Sequence, residues 1–119
     1  MGQPVTSWQI VTRQPEKLQK FYADLFGWEI DANNAMGYRT VDTGCERGID
    51  GGIWPAPPEA SDFVQLFIEV DDVKGAVKRV TALGGKVIVP PQSLPDGDEM
   101  AILHDPAGIA FGLKRMSKN

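Results

Sequence analysis

The sequence predicts an α+β fold built from two similar halves, each a strand, a helix and three further strands. Three observations carry that reading. Two stretches have an apolar stripe at helical spacing closed by glycine. The same order of elements occurs on either side of one proline-rich connector. Near the end, Asp105-Pro106-Ala107-Gly108 separates two short apolar runs and has the chemistry of a tight turn. A half of about 50 residues with a single helix cannot enclose a core alone, so a duplicated half-domain is a better account than two independent domains. The expected organisation is one domain over 1–119, with module one at about 5–54, a linker at 55–62 and module two at about 63–114.

In chain order, Val5 to Thr12 carries β-branched and aromatic residues and reads as a strand, ended by Gln14-Pro15 with the proline in the first helical turn. Leu18, Phe21, Tyr22, Leu25 and Phe26 then form one apolar helix face, and Gly27 stops the helix. Trp28-Glu29-Ile30 opens a second strand, Asn33-Asn34 marks a turn, and Tyr38 to Val41 reads as a third strand. After the turn at Gly44 to Gly48 the fourth strand runs from Ile49 to Trp54. Gly51 and Gly52 interrupt it, which in a strand interior marks a bulge or a place where something approaches the backbone closely. Pro55 to Asp62 is the connector.

The second half repeats the order. Phe63 to Val70 is a strand, and Val73, Ala76, Val77 and Val80 set a helical stripe opened by Asp71-Asp72 as caps and closed by Gly84-Gly85. Lys86 to Val89 is expected as a strand, Pro90 to Gly97 as a loop, and Met100 to Leu103 with Ile109 to Leu113 as the last hairpin. Alternation divides Phe63 to Val70 into two faces. Val64, Leu66, Ile68 and Val70 should pack on the helices. Phe63, Gln65, Phe67 and Glu69 read as a pocket wall, with shape from the aromatics and a few polar contacts.

Composition narrows the function. The net charge is −4 and the basic residues are scattered, which argues against nucleic acid as a partner. No apolar run approaches a membrane span, and the N-terminus lacks a basic region followed by an apolar one, so neither a membrane nor secretion is expected. Met1-Gly2 with Thr6 matches the short myristoylation pattern, but Thr6 falls in the first strand, and acylation is not expected. Cys45 is the single cysteine, which rules out an intrachain disulfide and fits a cytoplasmic setting; in its turn-like stretch it reads as an ordinary loop thiol.

Several motifs, taken together and in this order, resemble the vicinal oxygen chelate superfamily. They are Phe21 to Trp28, Gly51-Gly52-Ile53, Val70 to Val73, Leu83 to Val87, and Asp105 to Gly108. That superfamily includes glyoxalase I, extradiol dioxygenases, and the bleomycin and fosfomycin resistance proteins. The resemblance implies paired βαβββ modules whose curved mixed sheets form a cup with helices on the outer face, often in a homodimer. It also implies a divalent metal in the cup, held from the first and last strands of each module. By the repeat, those places fall at Ser7 and Gly52 in module one and at Gln65 and Gly112 in module two. Only Gln65 has a ligating side chain, so the expectation is no metal and no other cofactor. A two-residue shift would bring Gln9 or Asp50 into the cup but no imidazole.

The leading expectation is therefore a glyoxalase-like or bleomycin-resistance-like protein that binds a small organic ligand. Gln9, Asp50, Gln65 and Glu69 would orient it, while Trp54, Phe67, Met100 and Phe111 shape the cup. A second is a metal-dependent glyoxalase-like lyase, isomerase or dioxygenase with a non-standard ligand set from Gln9, Asp50, Gln65 and a residue of a dimer partner. A third is a non-catalytic subunit whose cup is filled by its own side chains. His104, the one histidine, sits at a strand end before the turn and reads as a surface or supporting residue.

Overall fold

The computed structural model describes residues 2–32, 37–57, 59–93 and 97–115. Its elements are β1 (Val5–Thr12), α1 (Pro15–Phe26), β2 (Glu29–Asp31), β3 (Arg39–Asp42), β4 (Gly51–Pro55), β5 (Phe63–Glu69), α2 (Val73–Ala82), β6 (Lys86–Ser93), β7 (Glu99–His104) and β8 (Ala110–Arg115). Strand, helix and three strands thus occur twice. The hydrogen-bonded order is β2-β3-β4-β1-β5-β8-β7-β6, an open sheet. It is mixed, because the first and last strands of each half, β1 with β4 and β5 with β8, pair parallel while the hairpins pair antiparallel. The architecture is the expected α+β. No helix among the described residues is long and apolar enough to cross a membrane. The turn expected at Asn33-Asn34 lies outside the described residues, as do Met1, Pro58 of the linker and residues 94–96 of the expected loop.

The chain divides into two compact units, Ser7–Gln65 and Met1–Thr6 with Leu66–Asn119. In Ser7–Gln65, α1 starts on Pro15 and ends at Gly27, whose N–H donates to the Ala23 carbonyl at 2.9 Å. Its apolar stripe forms as the periodicity predicts, but no α1 residue is fully buried: Phe21, Leu25 and Phe26 are each more than half exposed. Half-buried aromatic rings make the contact instead. Tyr22 lies 5.3 Å from Trp28, which lies 5.4 Å from Trp8. The Trp8 ring occupies the space above Gly51, its register partner on β4. Val11, Val41 and Ile53 complete this unit's apolar interior.

In the other unit, Asp72 caps α2 by accepting from the Gly75 N–H at 3.1 Å, the role expected of the Asp71-Asp72 pair. Val73 of α2 is buried with Val70, Ala101, Leu103 and Leu113, and Ile68, Ala76, Val77, Val80 and Phe111 pack around them. The expectation that the whole aliphatic face of β5 packs on helices holds at one end only. Val70 is buried and Ile68 joins the cluster, whereas Val64 and Leu66 are 62% and 50% exposed. α2 packs on β6, β7 and β8, and its ten residues span about 15 Å.

A second correction concerns β6, which continues through Pro90 and Pro91 to Ser93 where a loop is expected. Proline lacks an N–H, but β6 is an edge strand. Register shifts between Val87 and Val89 and between Val89 and Gln92 take the prolines out of regular pairing with β7. The last hairpin forms as predicted. Asp105 Oδ1 accepts from the N–H groups of Ala107 and Ile109, at 2.9 and 3.0 Å, and Gly108 takes a φ of 86° that other residues rarely adopt.

Candidate functional site

A joint at the end of β1 sets the site. Thr12 is fully buried, and its hydroxyl donates to Asp62 Oδ2 at 2.8 Å while Asp62 Oδ1 accepts from the Arg13 N–H at 3.1 Å. These bonds lower the Asp62 carboxyl below its ordinary value. They also fix the start of β5 against the end of β1, so that Gln65 faces Gln9.

The two glutamines meet directly. Gln65 Nε2 donates to Gln9 Oε1 at 2.7 Å. A further hydrogen bond links the side chains of Gln9 and Tyr38, and burial pushes the Tyr38 hydroxyl up from its ordinary value against the opposing effect of that bond. Gln9 is the register partner of Gly52, and the Tyr38 hydroxyl and ring occupy the space where a Cβ on Gly52 would stand. Trp54, two residues further along β4, lies 5.2 Å from the Tyr38 ring. Gln65 is 3% exposed, and its Oε1 has no hydrogen-bond partner among the described residues. The unit Ser7–Gln65 thus contains a run of hydrogen-bonding side chains, Gln65–Gln9–Tyr38, beside a glycine floor and an indole wall. It ends on a buried acceptor that no described residue satisfies.

In the other unit Phe67 is buried over Gly112, its register partner on β8. Of the remaining candidates, Asp50 lies in an exposed turn, where it accepts from the Thr43 N–H and hydroxyl. Glu69 and Met100 are half-buried on β5 and β7. Phe111 packs against the apolar cluster under α2. His104 closes β7 opposite Ala110 and Lys86. Cys45 is exposed, and hydrogen bonds from Arg47 lower its thiol below the ordinary value. Tyr38 is the site residue that sequence reasoning did not select. The signal was there, because two adjacent strand glycines imply that something lies on them, and the nearest aromatic across the hairpin is Tyr38.

The residues at the metal positions implied by the family resemblance do not fit a divalent ion. Ser7 and Gln65 offer a hydroxyl and one amide oxygen, and the two glycine positions are covered by the Tyr38 and Phe67 rings. A divalent ion of this class requires several carboxylate, imidazole or other strong donors converging on one point.

Residues 8–113 match the family described as glyoxalase-like domain. CFP32 of Mycobacterium tuberculosis (strain CDC 1551 / Oshkosh), which carries the name glyoxylase, is 32% identical over 114 residues, covering 91% of this chain and 44% of its own length. The anthracycline biosynthesis protein DnrV of Streptomyces peucetius is 31% identical over 117 residues, covering 80% of this chain and 40% of its own length. The chain therefore spans less than half the length of these curated relatives. Among solved structures, methylmalonyl-CoA epimerase from Mycobacterium tuberculosis shares the fold with a TM-score of 0.65 at 14% identity, over 94% of this chain and 87% of that one.

Proposed function

The chain belongs to the glyoxalase-like domain family, whose fold is that of the vicinal oxygen chelate proteins, and from this premise we propose that it binds a small organic molecule through Gln9, Tyr38, Trp54 and Gln65, without a metal. The observation that carries the reading is the Gln65 carbonyl oxygen, buried and without a partner among the described residues. Leaving such an acceptor unmade costs about 1–3 kcal/mol, a cost that a ligand hydroxyl or N–H would relieve. The names of its relatives support a small-molecule ligand, since they refer to a glyoxylase, to anthracycline biosynthesis and to a CoA-thioester epimerase.

In this reading Gln9 and Gln65 orient the ligand and Trp54 stacks on it. Pairing with a second copy is part of the proposal, supported by the exposed Phe21, Leu25 and Phe26 on α1. So is a reducing, cytoplasmic setting, supported by the single exposed cysteine.

The test is a thermal-shift screen of purified protein against small aromatic and α-keto compounds, with metal content measured in parallel and mass by size exclusion. A ligand at 100 times its dissociation constant adds about 2.7 kcal/mol of stability. The expected result is a stabilising ligand whose effect disappears in Gln65→Leu. Near-stoichiometric nickel, iron, manganese or zinc would overturn the metal-independent reading, and binding unchanged in Gln65→Leu would overturn the site.

A further inference from the structure

Taking the ligand site just proposed as its basis, we infer that Tyr38 is an internal stand-in for the ligand, and that the natural occupant is a neutral, small hydroxylated aromatic. Its ring would lie on the Gly52 backbone against Trp54, its hydroxyl would take the place of the Tyr38 hydroxyl on Gln9, and a further donor on it would meet the Gln65 carbonyl oxygen.

Four features of the seat lead there. Its floor is backbone: any side chain on Gly52 would overlap the Tyr38 ring, so the position is open to a flat group and to nothing that needs a matching knob. That floor is rigid, because Gly52 pairs with Gln9 of β1 on one side and Thr40 of β3 on the other. The ring that fills it is mounted differently. Tyr38 precedes β3 rather than lying within it, and follows Gly37, which has a φ of 72°. A change of backbone angles at Gly37 swings the ring out while the floor stays in its ladder. Finally, swinging Tyr38 out removes a hydrogen bond from Gln9 and uncovers the Gln9–Gln65 pair, so an occupant that brings a ring and a hydroxyl restores what leaves.

The electrostatics select the charge state. A carboxylate or phenolate in the seat would meet the same burial that disfavours the charged form of Tyr38, an effect the bond to Gln9 opposes only in part. Burial raises the Tyr38 hydroxyl in the same seat, so a neutral phenol is the form the site holds.

The experiment uses p-cresol, the tyrosine side chain in free form, and toluene, which lacks only the hydroxyl. Titrations followed by the side-chain amide NMR signals of Gln9 and Gln65 are run on the wild type, Tyr38→Ala and Tyr38→Phe. Tyr38→Ala is expected to bind p-cresol at least tenfold more tightly than the wild type, since the tethered ring no longer competes, and at least tenfold more tightly than toluene. Adding Gln9→Leu should abolish that preference, and adding Gly52→Ala should abolish both binding events. Should Tyr38→Ala fail to fold, Tyr38→Phe carries the test, because it keeps the ring and gives up the bond to Gln9; p-cresol should then bind severalfold more tightly than to the wild type. Equal affinity for p-cresol and toluene, or no p-cresol binding by a folded Tyr38 variant, overturns the inference. If the wild type still binds a compound from the screen in a Gln65-dependent way, only the phenolic assignment has failed. If nothing binds in either experiment, the ligand site itself has failed.

Discussion

The Phe67 ring rests on the backbone of Gly112, so closely that a Cβ there would come within 2.5–2.8 Å of three ring carbons. Both residues are buried, and they are register partners on the parallel strands β5 and β8. Gly112→Ala therefore overpacks a site with no room to yield and is expected to cost about 1–3 kcal/mol in urea unfolding. Phe67→Leu in the same chain should recover part of that loss, since the shorter side chain withdraws from the added methyl. A Gly112→Ala protein as stable as the wild type would show that the ring moves freely.

The joint between β1 and the linker predicts a dependence on acid. Asp62 titrates below its ordinary value of 3.8 in the folded chain because Thr12 and the Arg13 N–H donate to its charged form. A group lowered on folding contributes stability that is complete above its unfolded value and is lost as the pH falls through its folded value. Asp62→Asn should thus lower stability at neutral pH and flatten the decline below pH 3.8. Urea midpoints of the two proteins should converge in strong acid; parallel curves would remove Asp62 from the joint.

The final turn predicts a local loss. Asp105 Oδ1 accepts from both Ala107 and Ile109 N–H groups, so Asp105→Ala leaves two donors to water and unties the start of β8. The expected cost is about 1–2 kcal/mol, and Asp105→Asn, which keeps one acceptor oxygen in place, should cost less. Faster amide exchange at Ile109 in Asp105→Ala is the direct readout.

How much of this was legible in the sequence depends on the range of the interaction. The Asp105 turn, the Asp72 cap and both helix stops were readable because their partners lie within four residues. The glycines at 51 and 52 announced close approach and the structure supplies it, from Tyr38 across the hairpin and from Trp8, which no local rule connects to them. Parity correctly placed Gln65 and Phe67 on one face of β5, and both are buried. It could not reveal that α2 covers only part of the opposite face, which depends on where the helix packs. Prolines 90 and 91 misled in the same way, because whether a strand tolerates proline turns on its being at an edge, a property of the whole sheet.

Tyr38 predicts a dependence on alkali with the opposite sign from Asp62. Burial raises its hydroxyl above the ordinary 10.0, so the unfolded chain releases this proton at a lower pH than the folded one. The stability tied to it is complete below pH 10.0 and is lost as the pH rises through the folded value. Urea unfolding from about pH 8 to about pH 11 should show a steeper decline in the wild type than in Tyr38→Phe. Equal slopes would mean that the hydroxyl is not held in the seat.

The Gln65 carbonyl sets stability against function. Replacing Gln65 with leucine removes a buried acceptor that no described residue satisfies, relieving a cost of about 1–3 kcal/mol, and forfeits its donation to Gln9 Oε1, worth about 0.5–1.5 kcal/mol. The side chains are close in volume, so packing should change little. Losing the donor also leaves Gln9 Oε1 unpaired, so the two effects are of the same order and Gln65→Leu is expected to stay within about 1 kcal/mol of the wild type in thermal and urea unfolding. Ligand binding should nevertheless be lost. A residue kept only for the core would show the reverse, a destabilised protein with its binding intact, so measuring both on the same sample separates the two roles. That pair of results would give the Gln65 carbonyl the role the proposed function assigns it, an acceptor that no described residue satisfies and that a ligand donor can meet.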